Sequence, residues 1–324
     1  MPELLLLKGP LSPEHLAAVA NLYGVTDGKY GQVEHCDLLF NRSPFGPTLH
    51  AFACDEEKFV GHYCLIPYDL MVEGRQVKAA KGEALHVDSD YRRTECDGLP
   101  TSSALLGGAQ RLAVAEGIEV SYAIVAAPGV IRLFGRCGYV HSPFQVTDLI
   151  VPQSRALPLP RLMALRAVEA TARFSSSSPL QEVDFAAVRQ RLPARQPQPA
   201  GWQPVVGLEV LEWFGAAPSN LYFQLGAGVV WLAQTHSDWE VLCTLTADSS
   251  PAERTRLAIE LRREATRRGI DRIRVPRLEG LEPEMLTAFG RLARREVERE
   301  VSLVVRSELT LGSAAPVPFL WSHF

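Results

Sequence analysis

Two neighbouring stretches of the sequence decide the fold: EALHVDSDYR at residues 83–92 and TSSALL at residues 101–106. The first predicts a β-strand that ends near Asp90, and the second predicts the first turns of an α-helix. The turn between them is basic and contains Gly98. Free backbone N–H groups and the positive end of the helix dipole meet at such a helix N-terminus, so this turn predicts a phosphate-binding site.

The segments around these stretches predict a sheet flanked by helices. Residues 24–47 contain many turn-forming residues and are expected to be a loop. The predicted elements of the first half are strand 3–8, helix 13–23, strands 48–54, 59–67 and 76–87, helix 99–116, strand 120–126, a short helix that ends at Arg136, and strand 141–152.

The second half repeats this order of elements. Its predicted elements are strands 220–224, 228–234 and 239–246, helix 251–268, strand 272–275, helix 283–294 and strand 301–307. The repeat indicates a degenerate internal duplication. We expect one domain at residues 1–152, a helical and Pro-rich connection at 153–205, and a second domain at 206–324.

Three short motifs resemble the GNAT acyltransferase superfamily. Residues 60–61 (VG) resemble its third strand, residues 73–75 (EGR) resemble the hairpin before its fourth strand, and residues 134–139 (FGRCGY) resemble its signature F-Y-x-x-x-G-F. The resemblance implies an α/β fold of two GNAT-like domains, each a twisted mixed β-sheet flanked by helices. It also implies that the turn after residue 90 holds the pyrophosphate of acetyl-coenzyme A or another acyl-coenzyme A.

Eight residues are candidates for binding this cofactor. Residues 94–97 look like an insertion in the family motif, and their two acids, Glu95 and Asp97, would weaken an anion site. The alternative is a lengthened surface turn that binds no ligand. The candidates are Val87, Asp88, Arg92, Arg93, Gly98, Thr101, Ser102 and Ser103.

Three further residues are candidates for catalysis: Glu83, His86 and Tyr139. Glu83 lies in an apolar strand, where a carboxylate could deprotonate an incoming ammonium group or could simply pair with Lys81. Because strands alternate faces, we expect His86 to point away from the face of Glu83. Many GNAT enzymes have a tyrosine where this sequence has Phe134, so the acid would be Tyr139, another tyrosine or water, unless the thiolate leaves unassisted.

The composition excludes several classes of protein. The 324 residues are 47% hydrophobic and 22% charged, which is typical of a globular protein, and the net charge of −4 argues against nucleic-acid binding. Six cysteines without C-x-x-C spacing indicate reduced, buried thiols rather than disulfides or a zinc site. No apolar stretch reaches the length of a membrane span, so we expect a cytoplasmic protein without a membrane partner.

The resemblance implies an N-acyltransferase in which the amine of a small molecule or sugar attacks the thioester directly. A possible second donor is an acyl carrier protein, and the oligomeric state stays open. The alternatives are a non-catalytic module that binds an acyl thioester or a protein, or an enzyme with altered chemistry such as decarboxylation. Residues 246–253 of the second half have no glycine and two acids, so that half is not expected to bind coenzyme A.

Overall fold

The computed structural model describes residues 1–24, 30–72, 74–152, 179–189, 202–204, 208–235, 238–246, 249–276, 283–290, 292 and 295–307. Strands of the first part are β1 (Glu3–Lys8), β2 (Leu49–Asp55), β3 (Lys58–Pro67), β4 (Leu70–Val72), β5 (Arg75–Val77), β6 (Ala79–Val87), β7 (Glu95–Cys96), β8 (Leu99–Pro100), β9 (Val120–Val125) and β10 (Val140–Pro152). The later strands are β11 (Gln181–Val183), β12 (Trp202–Pro204), β13 (Asn220–Leu225), β14 (Gly228–Thr235), β15 (Asp238–Leu245), β16 (Arg272–Pro276) and β17 (Arg295–Ser307). The helices are α1 (Pro13–Tyr23), α2 (Val33–Asn41), α3 (Thr101–Ala115), α4 (Pro128–Arg136), α5 (Phe185–Arg189), α6 (Leu208–Gly215), α7 (Pro251–Arg267) and α8 (Pro283–Gly290).

Twelve of the described strands form one continuous mixed sheet, in the order β1-β2-β3-β6-β9-β17-β10-β16-β15-β14-β13-β11. The last strand, β17, lies between β9 and β10 and is antiparallel to both. On its other edge β10 pairs with β16 of the second half. Each half of the chain therefore contributes a strand that pairs with the other half.

The residues of β17 explain why it occupies this central position. Leu303 and Val305 are buried in the core that also contains α1 and α2, and Val304 is buried in the core below α3 and α4. A strand that is apolar on both faces is typical of the middle of a covered sheet.

Helix-capping residues set the starts of two helices as the sequence predicts. The Ser12 side chain accepts a hydrogen bond from the His15 N–H before α1, and Pro13 opens that helix. Ser250 and Glu253 form a reciprocal capping box at the start of α7. Trp213 of α6 donates a hydrogen bond to the Leu38 carbonyl of α2 at 2.7 Å, which joins helices of the two halves.

The fold class is confirmed as α/β, with a large mixed sheet flanked by helices. Three predictions of local structure were wrong: residues 33–41 form α2 rather than loop, residues 95–100 form a β-hairpin, and β17 begins six residues earlier than expected.

Most of the predicted connection, 153–178 and 190–201, lies outside the described residues. All six cysteines are free thiols. Among the described helices, none has the length and apolar character required to cross a bilayer.

Two histidines are buried side by side in the core under α1 and α2. His50 Nδ1 and His62 Nε2 are 3.0 Å apart, and both residues are fully buried. Burial lowers the pKa of His50 to about 3 and holds the pKa of His62 well below its usual value, with nearby histidines adding to both effects. Both rings are therefore neutral at physiological pH.

Acid is expected to destabilise the protein through this pair. Below about pH 6.5 the unfolded chain protonates both histidines, whereas the folded chain leaves His50 neutral until the pH nears 3. The free energy of unfolding should then fall by about 1.4 kcal/mol per pH unit for each histidine as the pH drops from about 6 to about 4. Urea unfolding of wild type and of His50→Gln at several pH values measures this. The free energy of unfolding of the variant should depend less steeply on pH, by about 1.4 kcal/mol per pH unit, which corresponds to one proton. Equal pH dependence in the two proteins would contradict the assignment.

The exchange of strands predicts that the first half does not fold alone. A fragment of residues 1–152 lacks β17, so β9 and β10 lose the strand between them and the core loses Leu303, Val304 and Val305. We expect no cooperative urea transition in its circular dichroism, whereas the full chain should show one. A cooperative transition of the fragment would show that the interlocking is dispensable.

Candidate active site

A cleft opens where two parallel strands of the sheet separate. β6 and β9 pair only from Ala79 to Lys81, opposite residues 120–122. The paired residues are buried, whereas residues 83–86 of β6 and 124–125 of β9 are half-buried. The outer edges of both strands stay paired, β6 with β3 and β9 with β17. The unpaired inner edges of β6 and β9 therefore line an open cleft.

A β-bulge lies in the part of β6 that faces this cleft. Ala84 has a φ of 58°, and the register with β3 shifts between His62, opposite His86, and Cys64, opposite Glu83. One extra residue on β6 reverses the alternation of side chains beyond it. Glu83 and His86 consequently lie on the same face, the face of α1 and α2, so the expectation that they point to opposite faces was wrong.

Glu83 is held by two hydrogen-bond donors on that face. The Lys81 ammonium forms an ion pair with its carboxylate, and the Tyr30 hydroxyl donates to Glu83 Oε2 at 2.7 Å. The side chain of Glu83 is 13% exposed, so solvent or a substrate can still reach it. Lys81 was predicted as a partner of Glu83 from the sequence, whereas Tyr30 was not, because a contact between residues 53 positions apart leaves no local signal.

His86 lines a cavity of about 490 Å³ between α1 and the C-terminal end of β6. Its ring lies 5.1 Å from that of Tyr23, and the Tyr23 ring lies 5.3 Å from that of Tyr30. Tyr23 and Tyr30, both buried, therefore lie between this cavity and Glu83. The other residues that line it are Ala18, Asn21, Leu22, Glu57, Lys58, Phe59, Asp88, Ser89 and Arg92.

Aromatic residues cover the other face of the sheet where the cleft begins. The Tyr63 hydroxyl lies directly against Gly82, so that a Cβ at this position would collide with it. The Phe134 ring meets both Tyr63 and Tyr139 edge-on, and the Tyr139 hydroxyl is 3.3 Å from Gln110 Oε1. Tyr139 is therefore on the α3/α4 face and is not brought together with Glu83 and His86. Burial raises its pKa to about 12.

The turn after β6 carries several of the predicted cofactor-binding residues. Val87 is buried, and its carbonyl accepts a hydrogen bond from Arg92 Nε at 3.3 Å. Asp88 pairs with Lys58 at 3.2 Å, and the Asp90 N–H together with Lys58 lowers the pKa of Asp88. Arg92 and Arg93 are exposed.

Gly98 lies elsewhere than the sequence predicts. Residues 95–100 form the hairpin of β7 and β8, and Asp97 and Gly98, both with positive φ, make its two-residue turn. Gly98 is exposed, with open space around it, at the tip of this hairpin. The prediction that its N–H cradles a phosphate beside α3 was therefore wrong, because the insertion folds outward as a separate hairpin.

Thr101 also differs from expectation. Its N–H and its hydroxyl both donate to the Thr94 carbonyl, at 3.1 and 2.9 Å, so neither is left for a ligand. This contact closes the hairpin at its base and brings the turn that contains Arg92 next to the start of α3. Ser102 and Ser103, which are half-buried, remain as candidates in the first turn.

The two halves differ at the matching helix start. Pro100, the residue before α3, makes no side-chain cap, and the first turn of α3 has no acidic residue. At α7, the carboxylate of Glu253 accepts the Ser250 N–H at 2.8 Å and occupies the N-terminus. The N-terminus of α3 is therefore left without a capping side chain, whereas a carboxylate already fills that place at α7.

One group of three described side chains has the composition of a metal site. Ligand atoms of His50, His62 and Cys64 lie within 4.8 Å of one another, and all three residues are buried. Each already has a protein partner, since the two imidazoles contact each other and the Cys64 thiol donates to the Glu83 carbonyl at 3.4 Å. The arrangement is explained by these hydrogen bonds.

Comparison with known proteins gives a likeness of fold. No protein-family model and no curated protein matches the sequence. The solved structures that resemble the chain include a GCN5-related N-acetyltransferase from Kribbella flavida (TM-score 0.52, 14% identity, 93% of this chain and 71% of that chain). They also include N-myristoyltransferase of Saccharomyces cerevisiae with bound myristoyl-CoA (TM-score 0.56, 11% identity, 94% and 82%). A third is a protein from Enterococcus faecalis described as a probable N-acyltransferase (TM-score 0.54, 11% identity, 94% and 72%). The chain therefore has the GNAT fold.

Proposed function

We propose that this protein transfers an acyl group from an acyl-coenzyme A to an amine. The observation that carries the proposal is the open cleft between β6 and β9, which ends at an uncapped helix N-terminus. Neighbours with the same fold include N-acetyltransferases and an N-myristoyltransferase that binds myristoyl-CoA.

The cleft has the right length for the extended arm of coenzyme A. From Gly82, where β6 and β9 separate, to Val87 is five residues, or about 16 Å along a strand. An arm added along the open edge of β6 can hydrogen-bond to its backbone as a further strand would. The thioester would then lie beside the bulge at Ala84, with the acyl group toward Gly82 and the diphosphate near the turn after Val87.

The turn and the first turn of α3 suit the diphosphate. Arg92 is anchored through its Nε, which leaves the two terminal nitrogens of the guanidinium for a phosphate. The N–H groups of Ser102 and Ser103 belong to the open end of α3. We propose that the first half alone binds the cofactor, because Glu253 fills the equivalent place in the second.

The two faces of the sheet suggest how the reaction proceeds. The amine would approach from the α1/α2 face and give its proton to Glu83, directly or through water. Its nitrogen would bond to the thioester carbon, and the carbon–sulfur bond would break with its electron pair going to sulfur. Tyr139, with a pKa of about 12, holds its proton more tightly than a thiol of pKa about 8.5 does. We therefore propose that the thiolate leaves without a proton from Tyr139.

The same topology suggests the history and organisation of the chain. The order strand, strand, strand, helix, strand, helix, strand occurs at β2, β3, β6, α3, β9, α4 and β10 and again at β13, β14, β15, α7, β16, α8 and β17. We propose that residues 1–152 and 206–324 arose by duplication and that the second copy lost its cofactor site.

We further propose that the protein is cytoplasmic and that its acceptor is a small-molecule amine.

Cofactor binding is tested by thermal shift with coenzyme A, acetyl-CoA and myristoyl-CoA. A ligand at about 100 times its dissociation constant should stabilise the wild type by roughly 2.7 kcal/mol. Arg92→Gln removes a charge-assisted contact worth about 1.5–3 kcal/mol. The dissociation constant of the acyl-CoA from this variant should therefore rise about 10- to 100-fold. Arg111→Gln is the matched control, because Arg111 is also exposed but lies on α3, ten residues from the helix start. The absence of any shift with all three ligands would refute the proposal.

The role of Glu83 is tested by Glu83→Gln, which keeps the shape of the side chain and removes its basicity. Thiol release with a panel of amines should show kcat about 10²-fold lower or more, with KM for the acyl-CoA within about two-fold of wild type. Glu119→Gln serves as control, because Glu119 is an exposed acid just before the start of β9, at the end away from the cleft. A Glu83→Gln variant with the kcat of wild type would assign Glu83 to the ion pair with Lys81 alone.

A further inference from the structure

We propose that Tyr23 is a positioning residue that aims the Leu85 N–H at the thioester carbonyl oxygen. This inference rests on the proposed function, because it assumes an acyl thioester in the cleft. Its physical basis is a hydrogen bond from the last residue of α1 to the bulge of β6.

Tyr23 is fixed in place before any ligand binds. The residue is 3% exposed, and its ring packs against those of Tyr30, His62 and His86. Its hydroxyl donates a hydrogen bond to the Ala84 carbonyl. A buried tyrosine with so many ring neighbours has little freedom to reorient that hydroxyl.

A chain of hydrogen bonds favours donation from the Tyr23 hydroxyl to the Ala84 carbonyl over its longer contact with the His62 carbonyl at 3.4 Å. Because Tyr23 donates to Ala84, its oxygen accepts from His62 Nδ1 at 3.3 Å, and His62 Nε2 then accepts from His50 Nδ1 at 3.0 Å. This assignment requires both imidazoles to be neutral, which their burial ensures. Hydrogen bonds that all run in one direction strengthen one another.

Because the peptide bond is planar, the contact between Tyr23 and the Ala84 carbonyl also fixes the direction of the Leu85 N–H. The carbonyl of Ala84 and the N–H of Leu85 belong to one planar trans peptide, so they point in opposite directions. Tyr23 holds the carbonyl on the α1/α2 face. The Leu85 N–H is consequently directed away from α1, to the side of β6 on which α3 and α4 lie.

The peptide between Ala84 and Leu85 is also outside the ladder of the sheet. Neither residue has a partner in the register with β3, and in the described part of the chain no strand pairs with the β9 side of β6 beyond Lys81. A fixed N–H at a bulge, beside an open cleft, is the kind of donor that stabilises negative charge on a carbonyl oxygen.

Alanine does not adopt this conformation readily by itself. The φ of 58° at Ala84 lies in the left-handed region, which is disfavoured for residues that carry a Cβ. The hydrogen bond from Tyr23 offsets that preference. Without it, Ala84 is expected to return to an extended conformation and the bulge to relax.

Infrared difference spectroscopy with acetyl-CoA labelled with ¹³C at the thioester carbonyl tests the orientation directly and needs no acceptor. In the wild type the carbonyl stretch should shift to lower frequency on binding, because a hydrogen bond polarises the C=O bond. Tyr23→Phe removes only the hydroxyl and should lose at least half of that shift. Where an amine acceptor is found, kcat should fall about 10²-fold while KM for acetyl-CoA stays within about two-fold.

Two further variants separate orientation from a general loss of structure. Tyr30→Phe removes a hydroxyl from the neighbouring ring that contacts Glu83 rather than the bulge, so the carbonyl shift should persist whatever happens to the rate. Tyr23→Phe combined with Ala84→Gly should recover part of the shift, because glycine adopts positive φ without the help of Tyr23.

A measurement on the unmodified protein covers the case in which Tyr23→Phe does not fold. The amide proton of Leu85, assigned by NMR, should move downfield when acetyl-CoA binds. An unmoved Leu85 amide, or a Tyr23→Phe variant with the full wild-type carbonyl shift, overturns the inference and leaves the proposed function intact. A wild type that does not bind the thioester overturns both.

Discussion

The separation of β6 from β9 is the constraint on which the candidate site depends. Two parallel strands that stop pairing after Lys81 leave backbone amides on two facing edges, and each strand is held only from outside, by β3 or by β17. An extended ligand can replace the missing strand pairing between them. Every candidate role described here, from the diphosphate at Arg92 to the acyl group near Gly82, follows from the position of a residue along this cleft.

The bulge at Ala84 determines on which face of the sheet the side chains of Glu83 and His86 lie. Without the extra residue, strict alternation would place His86 on the face opposite Glu83. With it, both ionisable side chains share the α1/α2 face, while Tyr63 and Tyr139 occupy the other. A base on one side of the thioester and a dry aromatic wall on the other are suited to an amine that enters from α1 and a thiolate that stays unprotonated.

Local features could be predicted from the sequence, whereas non-local ones could not. The predicted starts of α1 at Pro13 and of α7 at Pro251 were correct, because helix capping involves neighbours within three residues. The positive φ of Ala84 gave no such signal, since alanine is not a residue that usually adopts it. The insertion of β17 between two strands of the first half was equally hidden, because an apolar strand does not specify its partner. Gly98 was misplaced because a turn glycine serves a hairpin as well as a phosphate loop.

The second half has a structural role that is independent of ligand binding. Glu253 closes the end of α7, so that helix offers no place for a diphosphate, yet the same half supplies β17. β17 forms the outer support of β9 and therefore of one wall of the cleft. We infer that this half needs the apolar side chains of Leu303 and Val304 more than it needs an open helix start at α7. Its sequence should be constrained by packing at β17 rather than by chemistry at α7.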